Sequence, residues 1–332
     1  MRTNPINGGT RLTELGLGTA QFGNLYRQTT DDEAAGAVAA AWDAGIRYFD
    51  TAPHYGLGLS ETRLGEVLRG KPRDEFVLST KVGRLIVPNP GGEGRRDDEG
   101  FDVPATLKRR LDYSADGVRR SIDESLERLG LDRIDVAYVH DPDEFGEQVI
   151  REALPALIEL REQGVIGAVG TGMNQAALPA EFIRRTDIDV VMLAGRFTLL
   201  EQGALDELLP LAEQRGVSIV VAGVYNSGLL STARPAADAK YNYDDAPGDL
   251  VARANAIADV CERHGVDLPT AALAFPLRHP AVASVVIGCR TADQVRSGVE
   301  RYSTAVPDDL WRDLEDEGLL RPVTDEPGTL AG

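Results

Sequence analysis

Eight short runs rich in β-branched and aliphatic residues recur along the chain, each separated from the next by a stretch with helical spacing or capping signals. No other feature limits the fold so tightly. The runs are LTELGLG (12–18), GIRYFDT (45–51), EFVLSTKVG (75–83), RIDVAYVH (133–140), VIGAVGTG (165–172), DIDVVMLAG (187–195), GVSIVVAG (216–223) and VASVVIG (282–288). Between them, DDEAAGAVAAAWDAG (31–45) opens on acids and closes on glycine. SADGVRRSIDESLERLG (114–130) and EQVIREALPALIELREQG (147–164) likewise end on a glycine suited to a helix C-terminus. Strand alternating with helix predicts a parallel sheet, and eight strands are the number that closes it. The expectation is therefore an α/β chain forming a (β/α)8 TIM barrel, a single domain over residues 1–332. The rival, an open doubly wound sheet, usually carries a glycine fingerprint after its first strand, and GLGTAQFG (16–23) lacks that spacing.

Two connections are longer than the rest. Residues 84–113 contain PNPGGEGRRDDEG (88–100), a glycine-rich and charged excursion that reads as a mobile loop governing substrate choice, with a disordered insertion of no function as the bland alternative. The other, 224–281, includes STARPAADAKYNYDDAPGD (231–249) ahead of two helix candidates. The chain ends in one helix candidate and a polar segment, 318–332, expected to fray.

A hydrophobic fraction of 42% supplies a core, and no apolar stretch is long enough to span a bilayer. The N-terminus has no charged segment followed by an apolar one, so a cytoplasmic location is expected. Fifty-three acidic against 35 basic residues give a net charge of −18, which repels nucleic acid and anionic membranes and leaves a small molecule as the expected partner. Cys261 and Cys289 form neither a disulfide framework nor a metal-ligand pattern. The histidines at 54, 140, 264 and 279 show no metal-binding spacing, so no metal is expected.

In such a barrel the chemistry belongs at the C-terminal strand ends. Asp50 closes the second run, Tyr55 follows in its loop, Lys81 closes FVLSTK and His140 closes IDVAYVH. An ionised carboxylate at the end of a buried strand needs a cation, and Lys81 is the candidate. Taken singly, these four have ordinary explanations: an ion pair, a half-buried aromatic, a histidine at a strand end. Converging on one face, they suit proton transfer to or from an alcohol or carbonyl oxygen. Tyr55 would move the proton, with its pKa lowered from about 10 by the Lys81 ammonium. Asp50 would hold Lys81, and His140 would donate to the substrate oxygen. None of these groups accepts a hydride, so a redox reaction requires a cofactor. A phosphate site is expected after the seventh and eighth strands, with backbone donors at Asn226, Ser227 and Gly228, and with Gly288 and Arg290 before a helix begun by Thr291.

FDTAPHYG (49–56), Lys81 and YVHDPD (138–143) resemble the aldo-keto reductase family, and the resemblance runs from LGLGTAQFG (15–23) to VVIGCRTADQV (285–295). It implies a barrel oxidoreductase using NADP or NAD, with a catalytic tetrad of Asp50, Tyr55, Lys81 and His140 in which Tyr55 is the acid/base. It also implies cofactor contacts at Gly18, Thr19, Asp50, Asn174, Ser227, Gly228, Leu230, Gly288, Arg290 and Gln294. Within the family, residues 111–143, GMNQ (172–175) and AGRFTLLEQ (194–202) look most like the bacterial aldose dehydrogenase branch, whose members act at C1 of L-fucose and other threo-aldoses or on pyridoxal. Many relatives hold the nicotinamide carboxamide with Ser-Asn and a glutamine where this chain has Gly172-Met173 and Ala194, which leaves Asn174 or Arg196 as substitutes. Arg290 is the candidate for gripping a 2′-phosphate. The alternatives are a general NADPH-dependent aldehyde/ketone reductase and a nicotinamide-binding regulatory subunit without turnover.

Overall fold

The computed structural model describes residues 1–236, 239–241 and 244–323. All eight runs become strands of one closed parallel barrel: β1 (Leu15–Gly18), β2 (Tyr48–Asp50), β3 (Val77–Val82), β4 (Ile134–His140), β5 (Ile166–Met173), β6 (Val190–Ala194), β7 (Ser218–Ala222) and β8 (Val282–Gly288). Neighbours follow chain order, and β8 returns to β1 with Val285 opposite Leu15 and Gly288 opposite Gly18. Both faces of every strand are covered, which is why the runs read as nearly continuous apolar sequence. Leu17, Phe49, Leu78, Val139 and Val191 face the helices, whereas Tyr48, Val136, Tyr138, Met192 and Val220 fill the interior.

The first run divides in two. Arg11–Thr13 pairs antiparallel with Thr3–Pro5, and Leu12 and Ile6 from this hairpin join the interior cluster, closing the barrel at its N-terminal end. Only Leu15–Gly18 belongs to the ring.

Helices follow the strands: α1 (Asp31–Asp43), α2 (Leu59–Leu68), α3 (Ala115–Leu129), α4 (Leu154–Glu162), α5 (Ala177–Arg185), α6 (Leu208–Arg215), α7 (Gly248–Arg263), α8 (Leu268–Ala274), α9 (Ala292–Ser303) and α10 (Asp308–Asp316). Thr30 and Glu33 close a capping box on α1, and Ser114 caps α3, whose far end turns at Gly130 with φ 63°. The helix expected over 147–164 is interrupted by a wider π turn at Val149–Ala153. Pro155 lacks the N–H that would bond back to Arg151, so the regular ladder breaks just there.

The excursion read as a mobile loop has regular structure: Arg84–Pro88 pairs antiparallel with Leu107–Leu111 as a ribbon beyond β3. Its distal part folds back, burying Phe101 and Val103 against Leu57 and Tyr55, and Leu25 bridges Phe101. The charges of the excursion are largely paired with one another. Arg109 and Asp97 form a buried ion pair at 2.5 Å. Of the tail expected to fray, Leu320 and Val323 are buried, and residues 324–332 lie outside the described residues, as do 237–238 and 242–243 of the second long connection. Among the described residues no helix is long and apolar enough to cross a membrane.

Candidate active site

The C-terminal mouth of the barrel is assembled from strand ends. Asp50 terminates β2, and the turn at 51–58 carries Tyr55 over the rim before α2 begins. Two glycines set the height of that turn. A Cβ on Gly23 would lie 2.5 Å from the Tyr55 carbonyl carbon, and one on Gly56 only 2.3 Å from the Gly23 oxygen, so two loop backbones touch directly behind Tyr55. Gly56 also has a φ of 64°.

On β3, Lys81 points into the mouth, where Nζ donates to Asp50 Oδ2 at 2.7 Å, Asp50 Oδ1 at 3.0 Å and the Thr51 carbonyl at 3.0 Å. The same nitrogen stands 4.9 Å from the centre of the Tyr55 ring. Beneath it, Ser79 Oγ lies 2.7 Å from Asp50 Oδ1 and 3.1 Å from the Tyr48 hydroxyl, which in turn meets the Tyr138 hydroxyl at 3.1 Å. Asp50 is thus held from two sides. His140, ending β4, packs edge-on to Tyr55 with ring centres 5.9 Å apart and to His54 at 5.4 Å. All four expected side chains meet within this one region.

Burial sets the proton affinities. Desolvation alone would discharge Lys81, but the Asp50 carboxylate and Tyr55 reverse this and hold its pKa above the ordinary lysine value. Tyr55 departs from expectation: burial pushes its phenol up to about 12, and the lowering by Lys81 does not overcome it. The Asp50 carboxylate raises the phenol pKa further, and the ribbon's Phe101 packs beside the ring with centres 6.1 Å apart. His140 moves the other way, held well below its usual value by desolvation and then by Lys81, so it is neutral at physiological pH. His54 is pushed down to about 2 by burial, Arg109 and Arg84.

Residues 14–316 match the family model described as the Aldo/keto reductase family. The chain belongs to the aldo/keto reductase family. It is 47% identical over 315 residues to a D-threo-aldose 1-dehydrogenase from a Pseudomonas species, covering 94% of this chain and 96% of that protein. To the pyridoxal 4-dehydrogenase of Microbacterium luteolum it is 41% identical over 329 residues, covering 94% and 96%. Among solved structures it superposes with a TM-score of 0.75 on the holo form of the aldo-keto reductase AKR11C1 from Bacillus halodurans, at 25% identity and covering 98% and 99% of the two chains. As an aldo/keto reductase this chain is an NAD(P)-dependent oxidoreductase.

The residues expected to hold that cofactor ring the same mouth in this aldo/keto reductase. Gly18 pairs with Asp50 on one side and Gly288 on the other. Thr19 is buried, with its hydroxyl engaged to the Asp50 carbonyl and Ser60 at 2.8 Å each. Asn174 is exposed just past β5. Asn226, Ser227 and Gly228 all have left-handed backbones, with φ of 45°, 58° and 99°. The loop was expected to offer its N–H groups outward. Those of Gly228 and Leu230 bond instead to the Tyr225 carbonyl, and that of Leu229 to Asn226, because the tight turn brings its own acceptors closer.

Arg290 also departs from expectation. Its guanidinium is buried and donates to the carbonyls of Leu25, Arg27 and Gln21 and to the Thr29 hydroxyl, bracing the connection between β1 and α1. Every one of those acceptors competes with a 2′-phosphate for the same donors. Gln294 accepts from the Arg290 N–H at 2.7 Å, while Arg196 donates to the Gly195 carbonyl at 3.1 Å.

Two buried side-chain oxygens at this rim, Gln21 Oε1 and Asn226 Oδ1, have no hydrogen-bond partner among the described residues. Gln21 lies across Gly288, where a Cβ would come within 2.5 Å of its amide. Orphaned acceptors beside a glycine-lined approach fit a ligand rich in N–H and O–H donors, as a dinucleotide is. Several residues of the mouth escaped sequence reasoning. His54 and Asp141 adjoin residues already singled out and were legible as neighbours of the motif. Arg84, Phe101 and Arg109 sit in the excursion, where no local pattern distinguishes them from solvent-facing charge.

Proposed function

We propose that this aldo/keto reductase is an aldose 1-dehydrogenase in which Tyr55 moves the proton at the C1 oxygen. The observation carrying the reading is the Asp50–Lys81 pair set beneath the Tyr55 ring, with a neutral His140 at its edge. The high identity to a D-threo-aldose 1-dehydrogenase supports the substrate class. Bound nicotinamide supplies the hydride acceptor in oxidation and the donor in reduction.

The chain's own groups do the rest. With a phenol pKa near 12, Tyr55 holds its proton at neutral pH and is ready to give it to a carbonyl oxygen in reduction. In oxidation it takes the proton of the C1 hydroxyl, and the Lys81 ammonium stabilises the phenolate this requires. Asp50, fixed by Ser79 from below, keeps Lys81 charged and aimed. His140 donates one ring N–H to the same substrate oxygen. The ribbon at 84–113 forms the substrate-side wall, with Phe101 excluding water from Tyr55 and His54. Two free, buried cysteines fit a reducing compartment such as the cytoplasm.

Mixing the protein with NAD⁺ or NADP⁺ and L-fucose, D-arabinose, L-galactose or D-glucose, and following nicotinamide absorbance, tests the substrate class. Reduction of the cofactor by a threo-configured sugar is expected. If no sugar reacts while aldehydes are reduced in the reverse assay, the general reductase reading replaces this one. For the proton path, Tyr55→Phe is expected to lower kcat by about 10²–10⁴-fold, the usual contribution of a positioned acid/base. Full turnover in that variant excludes Tyr55 from the role.

A further inference from the structure

Asp141 follows His140 at the end of β4 with a φ of 39°, a left-handed backbone that few non-glycine residues adopt. Neighbours hold it there. Its N–H donates to the Gly172 carbonyl at 3.0 Å, and the Tyr113 hydroxyl donates to the carbonyls of His140 at 2.7 Å and Asp141 at 3.1 Å. The strained turn directs the carboxylate back over the mouth instead of outward. Asp141 Oδ2 lies 3.5 Å from His140 Nε2 and 3.3 Å from an Arg84 terminal nitrogen.

These spacings are looser than a self-satisfied ion pair, which closes to about 2.7–2.9 Å. Arg84 is under-used as well. Its Nε is buried with no hydrogen-bond partner among the described residues, and its other terminal nitrogen comes no nearer than 3.6 Å to Glu99. A half-buried guanidinium with an unpaired Nε, facing a carboxylate that lies beside His140, offers a donor and an acceptor together to a hydroxyl group.

We propose that Asp141 and Arg84 form a hydroxyl clamp beside the reaction centre, the carboxylate accepting from the hydroxyl on the carbon next to the reacting one and the guanidinium donating to that oxygen. The clamp rests on the reading of Tyr55 and His140 as the reaction centre. It makes the enzyme selective for α-hydroxylated carbonyls and for aldoses as a class. Asp141 is a substrate-binding residue here, and Arg84 is delivered by the first strand of the ribbon.

The test compares lactaldehyde with propanal in the reduction direction, and L-fucose with its 2-deoxy counterpart in oxidation, in the wild type and in Asp141→Asn. Asparagine also tolerates a left-handed backbone, so the variant keeps the turn and removes the charge. The wild type is expected to favour the hydroxylated member by at least about tenfold in kcat/KM, as a charged hydrogen bond does. Asp141→Asn should collapse that preference to within about threefold, by raising KM for the hydroxylated member more than for propanal. Loss of activity on both members alike, with an intact unfolding transition, assigns Asp141 a merely structural part and overturns the clamp. Equal treatment of the two members by the wild type overturns it too. If L-fucose is not oxidised, the dehydrogenase reading falls, while the lactaldehyde-to-propanal ratio still decides the clamp.

Discussion

At the scale of single residues, the mouth depends on backbone contacts that have no chemistry of their own. Gly23 and Gly56 press together behind Tyr55, with no room for a methyl group on either. Gly23→Ala must therefore lift the turn that carries the phenol, and displacement of a reacting group by about 1 Å can cost 10²-fold in rate. We expect kcat to fall by about that factor, with KM for the cofactor little changed, in steady-state assays of Gly23→Ala. An unchanged kcat would show that the turn's height is set elsewhere. The direction of the Tyr55 pKa carries a related lesson. Proximity to a lysine predicts lowering, but the phenol is also buried, and that lysine is already shared with Asp50.

At the scale of elements, α2 and α3 are joined by a buried charge. Glu61 is fully buried, accepting from Thr80 of β3 at 2.7 Å and from Arg128 of α3 at 2.6 Å. Gly65 lets the helices approach so closely that a Cβ there would stand 2.1 Å from the Leu129 carbonyl oxygen. Arg128→Leu strands the Glu61 carboxylate in this contact, and breaking one side of such a pair costs about 3–5 kcal/mol. Urea unfolding should register a loss of that order. The double variant Glu61→Leu with Arg128→Leu should recover most of it, since two apolar side chains need no desolvation of charge. A double variant no more stable than the single one would mean that the pair supplies more than mutual compensation.

For the whole molecule, buried neutral histidines set the acid side of stability. Burial lowers the pKa of His54, to about 2, and likewise lowers that of His140 and of His279. His279 also accepts from the Ala281 N–H at 3.1 Å through Nδ1, which further requires the neutral ring. Below the unfolded histidine value of about 6.5 the unfolded chain binds protons that the native state refuses, so stability falls as pH drops. Each such histidine contributes a slope of up to about 1.4 kcal/mol per pH unit, and for His54 that loss continues toward about pH 2. Urea midpoints at pH 7, 6 and 5 should decline accordingly. His279→Gln, remote from the mouth, should flatten the decline by one histidine's share. An identical pH slope in that variant would remove His279 from the account.

Much of this molecule is legible in its sequence because the decisive signals are local. Strand–helix alternation, eightfold repetition and the burial of both strand faces write the barrel directly into the run of residues. A polar residue closing an apolar strand marks Asp50, Lys81 and His140 without reference to anything distant. What only the tertiary structure decided depends on partners far apart in the chain. The charged excursion at 84–113 becomes a paired ribbon because Arg109 finds Asp97 and Phe101 finds Tyr55. Arg290, a candidate phosphate ligand by sequence, also braces the rim because the carbonyls of Gln21, Leu25 and Arg27 reach it. Tyr55 gains its high pKa from the same cause. Desolvation is a property of everything packed around a group, whereas a motif records only what lies beside it in the chain.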